Sequence, residues 1–127
     1  RNNQGKGLTM ITICTCGPEN KSSSFEYELL TAPTVRWTNP AGSVVVVNGH
    51  FIDCIRDEFR GKTISGGFSA DNPPPDGLGA WVREHSKTLN GQALTPRHAS
   101  RIAAIMCDLG WVECCVQDRA VVLRFLA

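Results

Sequence analysis

The chain has 127 residues, 42% of them apolar and 20% charged, with a formal net charge of +1. That length suits one domain, or one domain with a small annex, and lets it bury about two thirds of the surface its unfolded chain exposes. The near-neutral total excludes a global electrostatic pull toward nucleic acid or membrane, although a small basic face fits within it.

The charge tilts slightly along the chain: residues 1–77 carry 7 Lys/Arg against 8 Asp/Glu, and residues 78–127 carry 6 against 4. No apolar run approaches the roughly 18–20 residues of a membrane span. RNNQGKG leads into no signal-type apolar region, so residues 1–9 read as a leader or frayed end. From Met10, LTMITICTC alternates β-branched and polar residues and predicts a strand ended by Gly17–Pro18. ENKSSS is a polar loop. FEYELL alternates again, with Phe25, Tyr27 and Leu29 on one face, and TVRW makes a further short strand. NPAG is turn chemistry, since proline presets φ and glycine permits a positive one. SVVVV predicts a strand buried on both faces, a surface suited to association, including as a homodimer.

The period changes at NGHFIDCIRDEFRG. Asn48 caps a helix, Phe51, Ile52, Ile55 and Phe59 form its apolar stripe, and Gly61 stops it. KTISGGF is a short strand. The connector at 69–77, SADNPPPDG, is held out of helix and central strand by three consecutive prolines. Asp76 is the expected cap of GLGAWVREHSKTL, whose Leu78, Trp81, Val82, His85 and Leu89 share a side and which ends at Asn90–Gly91. Thr95 caps the last helix with Pro96 at its first position. Ala99, Ile102, Ala103, Ile105, Met106 and Leu109 form its apolar face, and Gly110 ends it. WVECCVQ and AVVLRFLA are strands joined at Asp118–Arg119.

The expected fold class is therefore α+β: a β-rich segment over 10–47, against or beside a body over 48–127. That body runs helix, strand, helix, helix, hairpin, the element order of a winged helix–turn–helix. In such an arrangement the third helix meets the major groove with its amino-terminal residues. Opposite its apolar stripe lie Arg97, Ser100, Arg101 and Ala104, two guanidinium forks with small neighbours. Arg119 sits at the hairpin tip, and Lys87 and Arg124 are candidates for backbone contacts.

The run HASRIAAIMCDLGWVECCVQDRAVVLRF resembles the helix-plus-wing half of winged-helix regulators. It is also similar to the carboxy-terminal tail of phage-type primase–helicases of the virulence-associated E family, where a helix of the form RI..IM..LGW precedes a short hairpin. The resemblance implies a mobile-element or phage origin, contact roles for Arg97, Ser100 and Arg101, and a wing role for Arg119. This chain has Cys114, Cys115 and Asp118 where relatives often place arginines. The primase or helicase core is absent, since the sequence holds no Gly-x-x-x-x-Gly-Lys-Ser/Thr phosphate loop.

Other chemistry is thin. Cys14-x-Cys16, His50-x3-Cys54 and Cys114–Cys115 are metal candidates by residue type, but none has the paired spacing of a zinc site. The six cysteines fit a disulfide framework poorly, and reduced intracellular thiols are expected. His85 reads as a half-buried packing residue. His98, near a helix start, has its charged form disfavoured by the dipole. Asp53 and Asp57 read as a solvated face between Arg56 and Arg60. The expectation is non-enzymatic DNA binding in the cytoplasm, without cofactor, metal or membrane. The competing reading is a protein-binding adaptor, inhibitor or subunit on the same scaffold. An open positive face favours the first, and a large exposed apolar patch favours the second.

Overall fold

Two antiparallel sheets and three helices make up residues 10–17, 23–31 and 33–127, the residues described by the structure, a computed structural model. The expected leader at residues 1–9, and most of the polar loop after Gly17, lie outside the described residues. The fold is α+β.

The first sheet is a meander of β1 (Met10–Cys14), β2 (Ser24–Leu29), β3 (Val35–Thr38) and β4 (Val44–Val47), in that order across the sheet. Its register sets Tyr27 opposite Trp37 and Trp37 opposite Val45, so alternate residues build one continuous apolar face. Phe25, Tyr27, Val35, Trp37, Val45 and Val47 are all buried there. Burying each large side chain is worth about 1.5–3 kcal/mol relative to leaving it exposed.

The sheet corrects the expectation for SVVVV. Val45 and Val47 are buried, whereas Val44 and Val46 remain 49% and 37% exposed. Four valines in a row carry no polar marker of the outward face, so the run imitates a strand covered on both sides. The outer edge of β4 is blunted by side chains rather than by another strand. Asn90 donates through Nδ2 to the Val46 carbonyl at 3.0 Å, and its Oδ1 accepts from the Asn48 N–H at 2.8 Å. Gln92 Oε1 accepts from the Val46 N–H at 3.3 Å. Edge groups left unpaired invite pairing with other chains, and these two side chains occupy them.

The chain then runs through α1 (Gly49–Phe59), β5 (Thr63–Ser65), α2 (Leu78–Asn90), α3 (Pro96–Asp108), β6 (Val112–Gln117) and β7 (Ala120–Phe125). The second sheet has the order β5-β7-β6. Asn48 caps α1 as its sequence suggests, Oδ1 accepting from the Phe51 N–H at 2.7 Å. Asp76 does not cap α2: Gly77 occupies that position, because the helix begins one residue later than expected. Gly79 lies in the first turn of α2 and donates to the Gly66 carbonyl at 2.9 Å. A Cβ on Gly79 would sit 1.9 Å from the Gly67 carbonyl oxygen, so the approach of helix to connector requires a glycine. Ser86, fully buried, fixes the turn between α2 and α3: its Oγ accepts from the Leu94 N–H at 2.7 Å.

One hydrophobic core unites both halves of the chain. It runs from Tyr27, Trp37 and Val47 through Phe51 and Ile55 to Ile102, Met106, Leu123 and Phe125. The β-rich segment is therefore laid against the helical body. A disulfide between Cys16 and Cys114, 98 residues apart in sequence, adds a covalent tie with Cα atoms 6.2 Å apart. This corrects the expectation of reduced thiols throughout. Spacing along the chain gave no sign of it, because the partners meet only once β1 lies beside the hairpin. Among the described residues, no helix is long and apolar enough to cross a membrane.

Candidate nucleic-acid interface

The candidate surface is built around the first two turns of α3. Pro96 at the first helical position needs no N–H there, and its φ suits the turn. His98 closes the end from inside, its Nδ1 accepting from the Thr95 backbone N–H at 3.0 Å. Burial, and secondarily the charge of Arg101, pull the His98 pKa below its ordinary value. The sequence led to the same neutral imidazole through the helix dipole, but in the folded protein the causes are desolvation and a neighbouring guanidinium. A neutral ring is what the cap needs, because only unprotonated Nδ1 accepts a hydrogen bond.

Three faces of α3 have three surroundings. Ala99, Ile102, Ala103, Ile105 and Met106 point into the core. A second face is covered by the first sheet, and this is the main departure from the expected recognition helix. Ala104, expected on the open side, is 3% exposed. Trp37 and His98 have ring centroids 6.4 Å apart, and the Arg101 guanidinium lies 4.8 Å above the Phe25 ring. Tyr27 donates from its hydroxyl to Asp108 at 2.8 Å. Burial and the Asp108 carboxylate raise the Tyr27 pKa well above the usual phenol range. The third face carries Arg97, exposed, and Ser100, half-buried.

Two adjoining hollows open along that third face. The first, about 450 Å³, is lined by Arg97, Ser100, Arg101 and His98 with Thr15 and Phe68. The second, about 760 Å³, shares Arg97, Ser100, Thr15 and Phe68 and extends to Cys16 and Arg119. The structure thus gathers four of the six expected contact residues, Arg97, Ser100, Arg101 and Arg119, around one groove. Among the described residues, no carboxylate lines either hollow. Among the described residues none of these three arginines forms an ion pair, whereas Arg36, Arg60 and Arg124 do.

Lys87 and Arg124 are not brought to the groove. Lys87 is in the last turn of α2, and Arg124 donates across the strands to Glu113 at 2.8 Å. Sequence reasoning missed Phe68 and Thr15 as lining residues. The only local signal for Phe68 was an aromatic between Gly66–Gly67 and a proline run, too little to aim it.

The hairpin tip is tight. Asp118 and Arg119 have φ of 51° and 67°, the two-residue turn in which both central residues are left-handed. It sets the Arg119 side chain beside the groove rather than extending a long wing. Catalytic groupings are weak by contrast: Cys54 and His50 lie 3.7 Å apart on the exposed face of α1, and His85 packs its ring on Trp81 at 4.4 Å. No protein-family model, no curated protein and no solved structure matches this chain.

Proposed function

We propose that the chain is a non-enzymatic DNA-binding protein of winged-helix type, with contact confined to the first two turns of α3 and the tip of the β6–β7 hairpin. One observation carries the reading: among the described residues, three arginines without ion-pair partners converge on a groove lined by no carboxylate. The helix order, with a sheet ordered β5-β7-β6 behind it, supports the same reading. Arg97, Arg101 and Arg119 supply phosphate contacts, the Arg101 guanidinium held rigid on Phe25, and Ser100 a hydroxyl at close range. Phe68 offers a flat face on which an unpaired base can stack. Because the first sheet covers Ala104 and engages Asp108 through Tyr27, DNA meets α3 by its amino end rather than along its length.

Neutralising three phosphates gives a slope of about −2.7 in log affinity against log salt, so affinity falls about 40-fold between roughly 50 and 200 mM. Fluorescence anisotropy with short duplex and single-stranded DNA at those two salts measures it. With Arg97→Ala and Arg101→Ala combined, one contact remains and the fall shrinks to about 3- to 4-fold. Binding that ignores salt, or no binding at tens of micromolar, overturns the proposal.

The adaptor reading rests on exposed Val44 and Val46. Across the same face, however, Val46 sits opposite Arg36, and Arg36 opposite Glu28, with which it forms an ion pair at 2.8 Å. That charged row interrupts the apolar surface before it reaches Met10. A flat DNA titration together with a concentration-dependent mass in light scattering would favour the adaptor or homodimer instead.

A further inference from the structure

Three cysteines that look unrelated in the sequence meet in space. Cys16 follows β1, Cys107 lies in the last turn of α3, and Cys114 is in β6. All three are half-buried, and their sulfur atoms lie within 4.8 Å of one another. Two are joined as the disulfide, while Cys107 keeps its thiol beside them. No histidine or carboxylate completes the group among the described residues.

We propose that the reduced form of this trio is a binding site for one soft, thiophilic cation, held by three thiolates. Sulfur-only ligation selects soft ions over magnesium, calcium or manganese. Metal–sulfur bonds of about 2.3 Å, the zinc length, set trigonal sulfurs about 4.0 Å apart, and the longer bonds of a larger soft ion such as cadmium set them further apart, nearer the 4.8 Å span of the cluster. The 4.8 Å cluster admits that spacing with small side-chain rotations, and the 6.2 Å between the Cα atoms of Cys16 and Cys114 need not change. Three protein ligands without a fourth suit ions content with three thiolates, such as cadmium, better than a four-coordinate structural zinc. Cys16 also lines the larger hollow beside α3, which gives the ion a path from solvent. The site stands on its own geometry and does not depend on the DNA-binding proposal.

The chemistry balances in two steps. A phosphine reductant supplies two electrons and water supplies oxygen and protons, so the disulfide becomes two thiols and the phosphine its oxide. A divalent cation then displaces three protons from three thiols, leaving a tris-thiolate complex of net charge −1. In its oxidised form the protein has one thiol at this place, so it lacks the site.

The test uses the full chain carrying Cys14→Ser, Cys54→Ser and Cys115→Ser, which leaves only the trio. After reduction and removal of the phosphine without air, Cd(II) is added and the thiolate-to-cadmium charge-transfer band is followed in the ultraviolet. Expected are a sharp break at one equivalent, three protons released per ion, and no band in the oxidised protein. Adding Cys107→Ser should weaken binding at least about tenfold, and its oxidised form, which keeps the disulfide, reports whether the substitution preserves the fold. Absence of a band, no saturation at one equivalent, or an unchanged titration with Cys107→Ser overturns the proposal. If reduction unfolds the chain, one equivalent of Cd(II) must restore native circular dichroism in the parent and not in Cys107→Ser; failure to do so also overturns it.

Discussion

Tyr27 keeps its ring in the core and its hydroxyl on the Asp108 carboxylate, so one side chain joins the first sheet to α3. Tyr27→Phe retains the packing and removes the bond, at a cost of about 1–2 kcal/mol in chemical denaturation at neutral pH. The raised phenol pKa gives the sign of the alkaline limb. The folded state holds the proton more tightly, so its contribution is complete below the ordinary value of 10.0 and is lost as pH rises beyond it. Stability of the parent should fall above that pH, and Tyr27→Phe should flatten the fall. His98 behaves oppositely. Its pKa is lowered from an ordinary 6.5, so its contribution is present above that value and disappears as pH falls below it. His98→Gln keeps an acceptor at the third helical position without a titration, and urea midpoints at a series of pH values should show the acid limb reduced. At the hairpin tip, Arg119 pays the steric cost of a left-handed backbone, about 1–2 kcal/mol for a residue with a Cβ. Arg119→Gly should raise the unfolding midpoint and weaken DNA binding together, which separates its two roles.

At the scale of elements, sequence reading succeeded wherever the cause was local. The Asn48 cap of α1, the Pro96 start of α3 and the Asp118–Arg119 turn each depend on a few adjacent residues, and each is where it was expected. It failed where the cause was distant. Nothing near Ala104 says that a sheet from the other end of the chain will cover it, and nothing near Cys16 points to Cys114. The contact residues were half legible: helical period put Arg97, Ser100 and Arg101 together, but could not show Arg101 lying on Phe25 or Arg124 paired with Glu113. Two element-level joints are exposed to simple tests. Gly79→Ala drives a methyl group into the Gly67 carbonyl and should destabilise by about 3 kcal/mol. Asn90→Ala leaves the Val46 carbonyl and Asn48 N–H without their partner, and should cost about 2 kcal/mol. Both are read from denaturant midpoints.

For the whole molecule, the Cys16–Cys114 link closes nearly the full described length into one loop. Restricting so long a loop in the unfolded chain corresponds to about 4–5 kcal/mol of stabilisation, so Cys16→Ser with Cys114→Ser should lower the unfolding free energy by several kcal/mol while leaving the fold recognisable by circular dichroism. The cover that the first sheet places over α3 has another consequence, in time rather than in space. The apolar face of that sheet is complete in the sequence by Val47, whereas α3 is not complete until Asp108. At roughly 5–20 residues per second, a ribosome needs about 3–12 s to supply the intervening stretch. During those seconds the nascent strands carry Phe25, Tyr27 and Trp37 without the helix that will shelter them, and they are a natural client for any holdase waiting at the tunnel exit.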